Sequence, residues 1–208
     1  MNIPNSLTVS RFAAAAVVMF AMAFPFPFST TLAFAFFAIA SVTDYFDGHL
    51  ARTKYGVTAF GKLMDPLADK VLVSAAFICF VGMHLPYEPN YSLIPAWIVV
   101  VIISREFAVT GLRLLVAANS GQVLSAGGWG KLKTAWQMIV ITATFVLLAV
   151  RVDFIPLMSH QPTEEFLRAY DSFFVWTSWT LSGIVLVLTL VSGWKYFAAH
   201  WDLISREM

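Results

Sequence analysis

The chain has 208 residues, of which 59% are hydrophobic and only 12% charged. A soluble domain is nearer half apolar and about a quarter charged, so lipid must cover much of this surface. The formal net charge of +1 includes no basic tract, which excludes a nucleic-acid-binding face of the electrostatic kind. The length suits one domain, 1–208, with no polar stretch large enough for a soluble second one. The single cysteine, Cys79, lies in an apolar run and offers neither an internal disulfide nor a CxxC metal site. The opening, Met1 to Asn5, has no basic segment or cleavage site, so no cleaved signal peptide is expected.

A bilayer core takes about 20 mainly apolar residues per helix. Six such stretches follow in chain order, at 6–24, 31–52, 60–83, 93–117, 130–150 and 172–198. Pro25 and Pro27 break the first run, and Pro86, Pro89 and Pro95 mark the third gap. Gly127, Gly128 and Gly130 mark the fourth gap, and Pro156 and Pro162 the fifth. Period-two alternation is absent, and backbone groups in hydrocarbon must be satisfied within the segment. The predicted fold is therefore all-α, a polytopic membrane protein with six transmembrane helices.

Placing the N-terminus in the cytoplasm collects Arg11, Arg52, Lys54, Lys62, Arg113, Lys131, Lys133, Lys195 and Arg206 on that side, against Arg151 and Arg168 opposite. That asymmetry follows the positive-inside rule, and puts both termini in the cytoplasm. Trp97, Trp176 and Trp201 fall near span ends, as interfacial aromatics do.

Chemistry concentrates between the second and third spans. Asp44 and Asp47 are three apart and share a helix face; Asp65 and Asp69 are four apart and share a face of the next helix. A short polar turn makes the two helices antiparallel neighbours, so two carboxylate pairs can converge near the cytoplasmic interface. Acids within a membrane are costly and mark function, and four together repel unless cations intervene. Oxygen-only ligands suit hard divalent ions such as Mg²⁺, Mn²⁺ or Ca²⁺. Gly48 and Gly61 leave room for a ligand to approach the backbone. A single Asp at a helix end is often only a cap; four at these spacings are not explained that way. His49 adjoins the face without a partner pattern.

The segment from Asp44 to Asp69 resembles the CDP-alcohol phosphotransferase signature, D-x-x-D-G-x-x-A-R-x8-G-x3-D-x3-D, at every fixed position. The resemblance implies a six-helix homodimer in which Asp44, Asp47, Asp65 and Asp69 bind two divalent ions, Mg²⁺ or Mn²⁺. It further implies that Asp47, Gly48, Ala51, Arg52 and Gly61 bind CDP, and that Asp69 is the general base.

That signature describes the donor half. Three further segments bear on the acceptor: Asn5, Thr8 and Arg11 near the start; Ser104-Arg105-Glu106 through Arg113 in span four; and Gly130-Lys131-Leu132-Lys133-Thr134 opening span five. Together they resemble the bacterial phosphatidylglycerophosphate synthases. The resemblance implies transfer of a phosphatidyl group from CDP-diacylglycerol to glycerol 3-phosphate in the inner membrane, with the site facing the cytoplasm. Arg105, Arg113, Lys131 and Lys133 are the candidate phosphate holders, arginine by its fork and lysine as a point charge. Ordinary positive-inside topology also accounts for Lys131 and Lys133, and Arg105 beside Glu106 also reads as a structural ion pair. Asn5, Thr8 and Arg11 suit cap and headgroup contacts.

Two other readings stay open at this point. The donor chemistry is compatible with another acceptor, such as inositol phosphate. A membrane cation transporter is the alternative from a different class, although the acids gather at one face with no relay across. Residues 151–171 carry no usable motif.

Overall fold

The computed structural model describes residues 3–54, 59–120, 128–160 and 162–201; within them, the side chains of 3–7, 44–54, 59–63, 65 and 117–120 lie outside the description. Among the described residues the chain forms six long helices: α1 (Ile3–Ala23), α2 (Ser29–Lys54), α3 (Ala59–Gly82), α4 (Ala96–Ser120), α5 (Gly128–Ala149) and α6 (Glu164–Ala199). An all-α architecture is what the apolar runs call for. The one addition is a small antiparallel hairpin between α3 and α4, β1 (His84–Leu85) and β2 (Glu88–Ser92). Among the described residues two stretches, Gly128–Leu157 and Glu164–Ala199, are long and apolar enough to cross a membrane, and Thr8–Ala23 and Ser29–Thr43 are shorter apolar helices.

Local chemistry sets the boundaries. α1 ends just before Pro25 and Pro27, and Phe28 turns the chain with φ of 63°. α4 starts after Pro95, whose carbonyl accepts from Ile98 and Val99 at 3.1 and 3.3 Å. The largest departure from the sequence reading is α6, which begins at Glu164, eight residues before the expected 172. Thr163 caps it by accepting from the Phe166 amide at 3.3 Å, and Glu164 and Glu165 sit in the first turn. There the helix dipole favours negative charge. The polar turns of α6 are helix that precedes its apolar stretch.

α1 packs against both α2 and α3, presenting Ala14, Ala15, Val18, Ala21 and Met22 as its buried face. Small side chains let helix axes approach closely without a hydrophobic driving force between them. α5 closes the other side through Phe145, fully buried, whose ring meets Phe34 at 5.9 Å, Phe37 at 5.7 Å and, edge-on, Phe80 at 4.8 Å. Such aromatic pairs contribute about 0.5–1.5 kcal/mol each beyond area burial. Large apolar side chains also point outward from every helix, among them Phe20, Ile39, Ile78, Val100, Val146 and Trp194. An outer surface of that kind belongs against lipid or protein.

The hairpin end is fastened by polar side chains. Arg151, in a π-helical turn at Val150–Phe154, donates to buried Asp171 of α6 through Nε at 2.5 Å and Nη2 at 3.2 Å. The Tyr87 amide donates to the same carboxylate at 3.3 Å. Asp153 accepts from both the amide and the hydroxyl of Thr31 at 2.7 Å each. Ser172 donates to Glu88, and the Trp179 indole to the Ser92 carbonyl at 2.9 Å. Residues 151–171, silent as sequence, thus join α2, α5, α6 and the hairpin.

Candidate functional site

At the opposite end of the bundle, where α4 and α6 finish and α5 begins, lies a cavity of about 290 Å³. Five cationic side chains line it: Lys70 from α3, Arg105 and Arg113 from α4, Lys133 from α5 and Lys195 from α6. One carboxylate, Glu106, stands against them, with Thr110, Thr134, Ser192, Tyr196 and His200 as polar neighbours.

Glu106 organises the group. It is buried, at 4% exposure, and accepts from Lys70 Nζ at 2.7 Å and from Lys133. Lys133 is itself 2% exposed. Two lysines from two other helices thereby converge on one α4 carboxylate. Arg105 Nη1 stands farther from Glu106, at 3.7 Å. Arg105 thus keeps a longer ion pair with Glu106 than the lysines do, and its side chain also reaches α6. There it packs over Gly193, where an added Cβ would lie 3.3 Å from its Cγ and 3.4 Å from its Nε. Lys195 sits over the Trp129 ring, 4.0 Å from the centroid.

Among the described residues that line the cavity, cationic side chains outnumber carboxylates. The cavity is therefore suited to an oxyanion, with guanidinium forks and ammonium groups contributed by four helices. Asp69 adjoins this wall: its Oδ2 is 3.7 Å from Lys70 Nζ, and its side chain is 39% exposed. Lys70 Nζ lies nearer Glu106, at 2.7 Å, than Asp69, and the exposure of the Asp69 side chain leaves that carboxylate accessible.

The expected site residues divide as follows. Arg105, Arg113 and Lys133 line the cavity together. Lys131 is exposed on α5, outside that lining. Thr8 and Arg11 are buried on α1, at 1% and 4% exposure, and are not among the residues lining the cavity. Asp44, Asp47, Gly48, Ala51 and Arg52 fall on α2, and Gly61 and Asp65 on α3; their side chains lie outside the described residues, as does that of Asn5. Among the described residues no cluster of three His, Cys, Asp or Glu forms a metal site, and three of the four expected ligands are not among them. Sequence reasoning assigned no role at the site to Lys70, Trp129, Lys195, Tyr196 or His200. The signal in the sequence was weak: a lysine one residue after Asp69, and polar groups at 192, 195, 196 and 200 at helical spacing.

Comparison with known proteins bears directly on this arrangement. The family model for CDP-alcohol phosphatidyltransferase matches residues 1–191. A Bacillus subtilis protein named CDP-diacylglycerol–glycerol-3-phosphate 3-phosphatidyltransferase is 38% identical, over 99% of this chain and 98% of its own length. A protein of the same name from Rickettsia bellii is 32% identical, over 95% of this chain and 94% of its own. A Mycobacterium tuberculosis protein named probable phosphatidylglycerophosphate synthase is 38% identical over 70% of this chain and 66% of its own.

Proposed function

The chain belongs to the CDP-alcohol phosphatidyltransferase family, and from that premise we propose that it transfers the phosphatidyl group of CDP-diacylglycerol to glycerol 3-phosphate. It is a transferase of phospholipid biosynthesis, which sets the ion-transport reading aside. The observation that carries the acceptor assignment is the cavity: among its described lining residues cationic side chains outnumber carboxylates, and it lies beside Asp69. A phosphomonoester dianion fits that charge balance, and serine does not.

The placement of these groups supports the following course. Arg105, Arg113, Lys70, Lys133 and Lys195 bind the acceptor's phosphate. This anchors glycerol 3-phosphate so that its free 1-hydroxyl can reach the neighbouring Asp69. Asp69 takes the hydroxyl proton. The oxygen forms a bond to the lipid-side phosphorus, the bond from that phosphorus to CMP breaks, and phosphatidylglycerol phosphate and CMP result. Positioning and charge stabilisation supply most of the rate gain.

The family uses divalent metals, and the donor set fits them. Four carboxylates offer hard oxygen ligands, and Asp69, the one whose side chain is described, is partly exposed. Asp44, Asp47, Asp65 and Asp69 would hold two ions, Mg²⁺ or Mn²⁺, which when bound neutralise the donor's diphosphate. Asp47, Gly48, Ala51, Arg52 and Gly61 are proposed to bind the CDP moiety. Asn5, Thr8 and Arg11 are retained as headgroup contacts, and Lys131 as an outer contact for the incoming anion.

The setting proposed is the bacterial inner membrane, with α1–α6 as six spans, the cavity end and both termini in the cytoplasm, and the protein a homodimer. Lys and Arg gather at the cavity end, and the outward-facing apolar side chains support lipid contact. Incubating purified protein with CDP-diacylglycerol, glycerol 3-phosphate and Mg²⁺ and identifying the lipid product by mass spectrometry tests the reading. Phosphatidylglycerol phosphate is the expected product; a lipid product lacking the glycerol phosphate headgroup would overturn it.

A further inference from the structure

The last turns of α6, from Ser192 to His200, form one wall of the cavity although no motif marked them. Tyr196 is the informative residue there. It is only 9% exposed and lines the cavity, yet among the described residues its hydroxyl has no hydrogen-bond partner. A buried hydroxyl left unsatisfied destabilises the fold, so its position requires another explanation than packing.

The ring is held in place. His200 lies against it at 4.6 Å between centroids, and Phe197 meets it edge-on at 6.3 Å. His200 is fixed in turn, because its Nδ1 is 2.9 Å from the Tyr196 carbonyl. A carbonyl only accepts, so Nδ1 carries the proton. A second unsatisfied group belongs to a residue that lines the cavity: Arg105 Nε, beside Gly193, is buried with no hydrogen-bond partner among the described residues. A guanidinium nitrogen can only donate, and a phenol can donate. Two idle donors, one from α4 and one from α6, therefore point to a ligand rich in acceptor oxygens.

We propose that Tyr196 is a specificity-determining residue, donating its phenolic hydrogen bond to the phosphate group of the acceptor alongside Arg105. This deepens the acceptor assignment above and rests on it. The idle hydroxyl is then the counterpart of a bond made only when the acceptor is bound.

The test is Tyr196→Phe, which removes one oxygen and keeps the ring. Without ligand, its thermal midpoint should match or exceed that of the unaltered protein, since a buried unsatisfied hydroxyl is gone. Stabilisation by inorganic phosphate should shrink. In turnover, KM for glycerol 3-phosphate should rise about tenfold or more, the scale of a hydrogen bond to a charged group, while KM for CDP-diacylglycerol stays within about twofold. Unchanged phosphate stabilisation together with an unchanged acceptor KM overturns the proposal. So does a midpoint several degrees lower with both KM values intact, which would mean that the hydroxyl is bonded within the protein. If the unaltered enzyme uses only some other polyol phosphate, the acceptor assignment fails by itself, and the inorganic phosphate comparison still decides on Tyr196.

Discussion

Replacing Glu106 by Gln probes the charge balance of the cavity with almost no change in shape. The carboxylate is 4% exposed and meets the Lys70 ammonium at 2.7 Å and the 2%-exposed Lys133 ammonium. The amide keeps the volume, so the change is one of charge: the buried Lys133 ammonium loses its counterion and the partly buried Lys70 ammonium keeps only the more distant Asp69. Breaking a buried pair from one side costs about 3–5 kcal/mol. For a chain of this length each kcal/mol lowers the midpoint by about 2–4 °C, so thermal unfolding in detergent should show a fall of roughly 10 °C. Two controls isolate the cause. Adding Lys133→Met to Glu106→Gln should recover part of the loss, because the two sites are directly coupled. Inorganic phosphate should stabilise Glu106→Gln more than the unaltered protein, because the carboxylate that competes for Lys70 and Lys133 is gone. A midpoint within about 1 °C of the unaltered protein would refute the view that Glu106 is the buried counterion of this cavity.

Asp69→Asn should leave the thermal midpoint nearly unchanged and abolish CMP release; near-full activity would remove Asp69 from the role of base. Gly193→Ala brings a methyl group within 3.3 Å of Arg105 Cγ, so steady-state kinetics should show a several-fold rise in KM for glycerol 3-phosphate with little change for the lipid donor. Asp171→Asn leaves Arg151 without its buried carboxylate partner, and should cost about 3 kcal/mol in thermal unfolding while both KM values hold, since this pair lies at the other end of the bundle.

The helices were legible because apolar runs long enough for a bilayer are interrupted by proline and glycine at nearly every gap. The start of α6 was not, because Glu164, Glu165, Arg168 and Asp171 read as loop in hydropathy, while the Thr163 cap and acidic first turn make them helix. Arg151 and Asp171 are twenty residues apart, across a chain reversal, and no local spacing connects them. The cavity was partly legible. Arg105, Arg113 and Lys133 stood in segments with a recognisable pattern, but the partner of Glu106 did not follow from adjacency. Arg105 is next in sequence and pairs with Glu106 only at 3.7 Å, while Lys70 and Lys133 come in from α3 and α5. Positive-inside topology describes Lys131, which is exposed; it does not describe Lys133, which is buried against a carboxylate. Tyr196 was invisible because an aromatic near the end of an apolar helix looks like any interfacial ring, and only its unsatisfied hydroxyl sets it apart.

The central claim is the pairing of a CDP-diacylglycerol donor with a phosphorylated three-carbon acceptor. The most direct measurement is CMP release by purified protein given CDP-diacylglycerol and Mg²⁺ or Mn²⁺, with either glycerol 3-phosphate or inositol phosphate. Release with glycerol 3-phosphate alone is the predicted result. Release with inositol phosphate alone would contradict the acceptor assignment, and no release with either from folded protein would contradict the catalytic account itself.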